Sequence, residues 1–86
     1  MQIEKPAMAG TLESSDVQVT VEPGTGEIEL HLESSVMNQY GRAIRQTVLE
    51  TLQRLDVTSA RVQVVDKGAL DCTIRARVEC AVFRSA

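Results

Sequence analysis

The sequence predicts an α+β domain: a two-layer ββαββ arrangement, one sheet covered by one long helix, with a short helix at the C-terminus. Three observations carry that prediction. Apolar residues alternate with polar ones in two segments near the start of the chain. They then recur every three or four positions across the middle, and alternation returns in the final third. Period two marks a strand with one solvated face, and a period near 3.6 marks an amphipathic helix.

Residues 1–15 show no sustained period, and Pro6 and Gly10 interrupt them, so they read as an extended or mobile lead-in. From Asp16 the pattern sharpens. "VQVTVE" puts Val17, Val19 and Val21 on one face and Gln18, Thr20 and Glu22 on the other. "PGTG" supplies a turn, and "EIELHLE" points Ile28, Leu30 and Leu32 inward and Glu29, His31 and Glu33 outward. Two such runs joined by Pro and Gly predict a hairpin. Ser34 and Ser35 end the second strand and are placed to cap a helix. Val36, Tyr40, Ile44, Val48, Leu52 and Leu55 form the apolar stripe of that helix, about five turns long. "ARVQVVD" is a strand again, and Asp66 and Gly68 predict a tight reversal. The next segment fits two periods. As a strand, Leu70 to Val78 alternates cleanly; as a helix, it leaves Cys72, Ala76, Cys80 and Phe83 as a second apolar stripe. The expectation is a strand to about Val78 and a short helix from Glu79 to Arg84, residues 16–86 forming a single domain.

Composition narrows the function classes. With 86 residues, one Tyr, one Phe and no Trp, the core must be thin and aliphatic. Such a domain buries only about 60% of its unfolded surface and has few walls for a deep pocket, which counts against a self-sufficient enzyme. The net charge is −3, and no basic stripe is present to neutralise phosphates, so no nucleic-acid partner is expected. No apolar run is long enough to span a membrane. Cys72 and Cys80 lie eight residues apart, about 12 Å or more on one helix or strand, too far to bridge. With no secretory signal visible, they read as buried, reduced thiols of a cytoplasmic protein. The single histidine, His31, has no CxxC motif or ligand spacing near it, so no metal is expected.

Catalytic candidates are equally sparse. His31 stands between Glu29 and Glu33 on a solvent face, where the acids favour its protonated form and oppose a role as base. The pairs Glu29 with Glu33 and Glu13 with Asp16 lack a metal-loop spacing and read as solvated carboxylates. Ser14 and Ser15 have no base beside them and cannot serve as nucleophiles unaided. A serine in an exposed loop beside a rigid domain can, however, be the target of modification. On the residues alone, ordinary loop serines and a modified serine both remain open.

A resemblance bears on that choice. "AGTLESSD" (9–16), "VQVTVEP", "SSVMNQYGRAIRQTVLETL" and "VVDKGALDCTIRARVECA" together resemble the acyl carrier protein, or gamma chain, family of citrate lyase, in order and over nearly the whole chain. In that family the serine after "GTLE" carries 2′-(5″-phosphoribosyl)-3′-dephospho-coenzyme A through a phosphodiester. The resemblance places that attachment on Ser14, with Ser15 the less favoured hydroxyl; the family position matching Ser15 is often Gly. It implies a non-catalytic carrier whose arm holds acetyl or citryl as a thioester. The implied partners are an alpha subunit (acyl transferase), a beta subunit (citryl lyase) and a prosthetic-group transferase. The rival reading is a small adaptor that docks a protein partner through a sheet edge or the apolar stripe near Phe83, without a covalent arm.

Overall fold

The valine-rich alternation does build the centre of a sheet. The computed structural model describes residues 1–86, with six elements: β1 (Ala7–Gly10), β2 (Val17–Pro23), β3 (Ile28–Ser34), α1 (Met37–Arg54), β4 (Ala60–Asp66) and α2 (Asp71–Arg84). The two-layer α+β class holds: four strands form one sheet, and both helices contribute to a single apolar core with it. Val17, Val19 and Val21 of β2 and Val62 and Val64 of β4 are completely buried. Ile44, Val48 and Leu52 of α1 and Ile74, Val78, Ala81 and Val82 of α2 pack in the same core. Burying each such valine, leucine or isoleucine side chain contributes about 1.5–3 kcal/mol of transfer free energy.

The sheet order is β1-β2-β4-β3, which differs from the expected hairpin. β4 lies between β2 and β3, antiparallel to β2 and parallel to β3. The cause is the crossover through α1, which returns the chain to the end of the sheet where β3 began and so delivers β4 parallel to β3. The "PGTG" connection therefore spans a gap of one strand, roughly 10 Å, instead of closing a two-stranded hairpin. Gly24 permits this: a Cβ there would lie 2.5 Å from the Ala60 nitrogen at the start of β4.

Two further segments depart from expectation. Leu70 to Val78 is not a strand but most of the 14-residue helix α2. Positions 70, 74, 78 and 82 satisfy period two and i, i+4 spacing together, so alternation alone could not separate the alternatives. Burial separates them, because Ala81 and Val82 are both buried while Cys72 and Ala76 face solvent. Within the lead-in, "AMAG" pairs with β2 as β1, and Ile3 and Ala9 enter the core. Ala, Met and Gly carry little β propensity, so pairing with an already formed neighbour supplies what local sequence lacks. Neither serine 34 nor 35 caps α1: the N-cap is Val36, whose N–H donates to Ser34 Oγ at 3.1 Å.

Candidate functional site

β1 and β2 pair from Ala7↔Val21 to Gly10↔Gln18, so residues 11–16 form the loop that joins them. Ser14 and Ser15 occupy this loop, both exposed. The loop begins at Gly10, whose φ of 88° and whose approach to β2 exclude a side chain: a Cβ would sit 1.8 Å from the Val17 carbonyl oxygen. It ends at Asp16, which gathers the surrounding groups. Thr11 Oγ1 donates to Asp16 Oδ2 at 2.6 Å, and the Val17 N–H donates to Oδ1 at 2.7 Å. From α2, the Arg77 guanidinium donates to both oxygens, Nε to Oδ1 and Nη2 to Oδ2, each at 3.2 Å. A two-pronged pair of this kind fixes orientation as well as charge. The Thr11 hydroxyl and the Val17 N–H hold the Asp16 carboxyl down at about 2, against partial desolvation, with Arg77 adding to the same effect. The carboxylate form is thus the one the loop is built around.

The backbone is pinned as well. Asp16 N–H donates to the Glu13 carbonyl at 3.1 Å, closing a turn over Ser14 and Ser15. Ser15 N–H donates to the Lys67 carbonyl at 2.8 Å, and Lys67 N–H donates to the Asp16 carbonyl at 2.9 Å. Ser15 takes φ 66°, a left-handed conformation that costs an L-residue about 1–2 kcal/mol. The two serines differ in backbone alone: Ser15 is the bend held to β4's end and Ser14 the residue before it, and neither hydroxyl takes part in the network that holds the loop. A covalent arm needs an oxygen that is reachable from solvent and not already committed, on a backbone that does not drift. Both serines have these properties, so the residues present fit a phosphodiester-linked group.

The same end of the sheet carries a second carboxylate. Asp66, buried to 1% exposure, accepts from Ser34 Oγ at 2.8 Å, from Gly68 N–H at 3.2 Å and from Ala69 N–H at 2.9 Å. It secures the turn that carries Lys67, and so the seat on which the Ser14 loop rests.

The other sequence candidates do not converge. His31 is exposed on β3, and Glu29 of the same face is engaged by Arg61, which also pairs with Glu22, each at 3.1 Å. Those two carboxylates raise the Arg61 pKa, the hydrogen bond to Glu29 being the largest single cause. Glu33 stays exposed on the strand, and Glu13 contributes its backbone rather than its carboxylate to the loop. Cys72 is exposed on the first turn of α2 and Cys80 half-buried, both free thiols; the strand reading had placed them inward. No group of three or more His, Cys, Asp or Glu side chains is arranged to hold a metal ion. No helix is long and apolar enough to cross a membrane. Arg77 was not singled out by the sequence. It lies 61 residues from Asp16, and only the folding of residues 71–78 as helix, where a strand was expected, brings the two together.

Comparison with known proteins places this geometry among carriers. The family model described as ACP, malonate decarboxylase delta subunit (MdcD), matches residues 4–85. A citrate lyase acyl carrier protein of Vibrio cholerae is 59% identical over 86 residues, covering 99% of this chain and 88% of that protein. One from Streptococcus uberis is 57% identical over 100% of this chain and 85% of its own, and one from Lacticaseibacillus casei 49% identical over 99% and 84%. Among solved structures, a chain of a Pseudomonas malonate decarboxylase hetero-tetramer in complex with malonate superposes with a TM-score of 0.85. That match covers 100% of this chain and 89% of the other at 24% identity, which speaks to the fold.

Proposed function

The chain belongs to the acyl carrier family of citrate lyase and malonate decarboxylase, and we propose that it is the carrier subunit of a citrate lyase with Ser14 as its attachment residue. The single observation that supports the reading is an exposed loop whose two serine hydroxyls are free while its backbone is tightly held; between the two, the match of "GTLES" to the family favours Ser14. The group attached would be 2′-(5″-phosphoribosyl)-3′-dephospho-coenzyme A, which supplies a terminal thiol able to hold an acetyl or citryl group as a thioester.

What this chain's residues do is positional. Ser14 Oγ offers the oxygen through which a phosphodiester is anchored. Ser15 turns the backbone so that the hydroxyl before it faces out. Asp16, held by Thr11, Val17 and Arg77, ties the loop to α2 and prevents the anchor from wandering as the arm moves. An anchor fixed on a small rigid body keeps the tethered group at high effective concentration near successive partners. In this reading an alpha subunit performs acyl transfer and a beta subunit the cleavage of citrate to acetate and oxaloacetate. A separate transferase loads the arm, and the 11–16 loop between β1 and β2 presents the anchor. Cys72 and Cys80, eight positions apart on one helix and so about 12 Å apart, remain thiols in a reducing cytoplasm.

Intact mass spectrometry of the chain isolated from cells that contain the transferase tests the proposal. The expected mass exceeds that of the bare chain by one arm, and Ser14→Ala returns it to the bare value with an unchanged circular dichroism spectrum. A bare mass for the unmutated chain under those conditions favours the adaptor reading instead.

A further inference from the structure

The order β1-β2-β4-β3 leaves two sheet edges, and they are finished differently. The β1 edge is four residues long, and Arg84 covers it by donating from Nη1 to the Met8 carbonyl at 2.8 Å. The chain beside it is tied down by the Glu4 and Lys5 N–H groups, both donating to the Ser85 carbonyl. The β3 edge runs seven residues, Ile28–Ser34, without a bulge, a proline or a lysine, three of the devices that keep an edge from pairing; its only charged guards are Glu29 and Glu33.

The direction of its unpaired groups follows from the register. Ala60 N–H donates to the Glu27 carbonyl at one end of the β3–β4 ladder, and Ser35 N–H donates to the Asp66 carbonyl at the other. With Ile28↔Ala60 through Ser34↔Asp66 between them, the odd-numbered residues Glu29, His31 and Glu33 turn their N–H and C=O towards β4. Ile28, Leu30 and Leu32 therefore direct both groups outward. The side chains of the same three residues are only half-buried, whereas those of Val17, Val19, Val21, Val62 and Val64 are fully buried. The core is complete over β2 and β4 and unfinished along β3.

Charge selects among occupants. The solvent face of β3 carries Glu29, His31 and Glu33; Arg61 neutralises Glu29, and Glu33 has no ion pair. A second copy pairing antiparallel over the whole strand, and so about His31, would set Glu29 opposite Glu33 twice; a parallel copy, its outward groups also on even residues, would be offset by one and set the acids beside Ile28, Leu30 and Leu32. Like charges directly opposite destabilise a strand pair. We propose that β3 is a docking edge for an extended strand of a partner protein. That strand alternates apolar side chains, which complete the row of Ile28, Leu30 and Leu32, with Lys or Arg side chains opposite Glu33. Main-chain hydrogen bonds supply the attachment and the alternation supplies the specificity.

The proposal concerns a surface remote in function from Ser14, and its test uses the unmodified chain, so its failure is separate from that of the carrier reading. The isotope-labelled chain is titrated with a nine-residue peptide alternating valine and lysine, and in parallel with one alternating valine and glutamate. The lysine peptide is expected to shift the amide resonances of Ile28, Leu30 and Leu32 and to slow their hydrogen exchange at least tenfold at saturation. The glutamate peptide should leave them unchanged, and Glu33→Lys should weaken the lysine peptide at least threefold. Absence of these shifts, shifts centred elsewhere, equal binding of both peptides, or self-association of the chain through β3 would each overturn the proposal.

Discussion

The two ends of the sheet are held by different chemistry. At the end formed by Val17, Asp66 and Ser34, two carboxylates collect hydrogen bonds from four separate parts of the chain: the β1–β2 loop, the end of β3, the turn after β4, and α2. At the opposite end, where Pro23, Ala60 and Ile28 meet, the 24–27 connection has one side-chain tie, Gly26 N–H donating to Ser59 Oγ at 2.9 Å. The terminal ammonium of Met1 donates there to the carbonyls of Leu55 and Asp56. Arg61 also pairs there with Glu22 and Glu29, but on the solvent face, where such pairs stabilise little, so the end that only connects strands is closed without buried polar bonds. The end that carries the 11–16 loop holds it in one place with directional, charge-assisted bonds, as the proposed anchor role of Ser14 requires.

That contrast breaks most severely at Asp66. Asp66→Ala leaves the Gly68 and Ala69 N–H groups and the Ser34 hydroxyl without their shared acceptor in a buried site, at a cost of about 3 kcal/mol. Urea denaturation should show this as a lower midpoint with an unchanged slope, and a loss below about 1 kcal/mol would mean the two ends are held alike. Ser59→Ala at the far end should lower the midpoint far less.

Asp16 gives a pH signature. Its folded pKa is lowered to about 2, so the unfolded chain takes up the proton first as pH falls. The contribution of the Asp16 clamp is therefore complete above the ordinary carboxylate range near 4, and is lost progressively as the pH falls through about 2. Hydrogen exchange at Ser15 and Lys67, whose amides join the loop to β4, should stay slow at pH 4 and accelerate between pH 3 and 2. In Asp16→Asn the exchange should already be fast at pH 6 and show no such step. A step in the variant would assign it to another carboxylate.

The smallest change is a gain. Ser15→Gly removes the steric cost of φ 66° and should raise stability by up to about 1 kcal/mol while leaving attachment at Ser14 intact. A destabilised Ser15→Gly would mean that the Ser15 side chain, rather than its backbone, matters in the loop.

How much of this was legible depended on whether a feature was local. β2, β4 and α1 announced themselves by period, and Val17, Val19, Val21, Ile44, Val48 and Leu52 were placed inward and are buried. Three features were not visible because local pattern does not encode them. β4 enters between β2 and β3 as a consequence of the crossover, not of any residue in "PGTG". α2 shares its even-numbered apolar positions with a strand until Ala81 and Val82 decide the matter. β1 is four residues of weak propensity recruited by β2. At the candidate site, the residues alone offered a suitable loop, and the resemblance chose Ser14. The clamp that makes the loop rigid was hidden, since Asp16 read as a solvated acid and Arg77 as the outward side of a strand. Their pairing exists only once α2 does.

Peptide-level mass spectrometry of the modified chain, fragmented between Ser14 and Ser15, tests the assignment of the anchor most directly. The predicted result is one modified peptide with the arm's mass on Ser14 and an unmodified Ser15. The arm on Ser15, or on a residue outside the 11–16 loop, would contradict it.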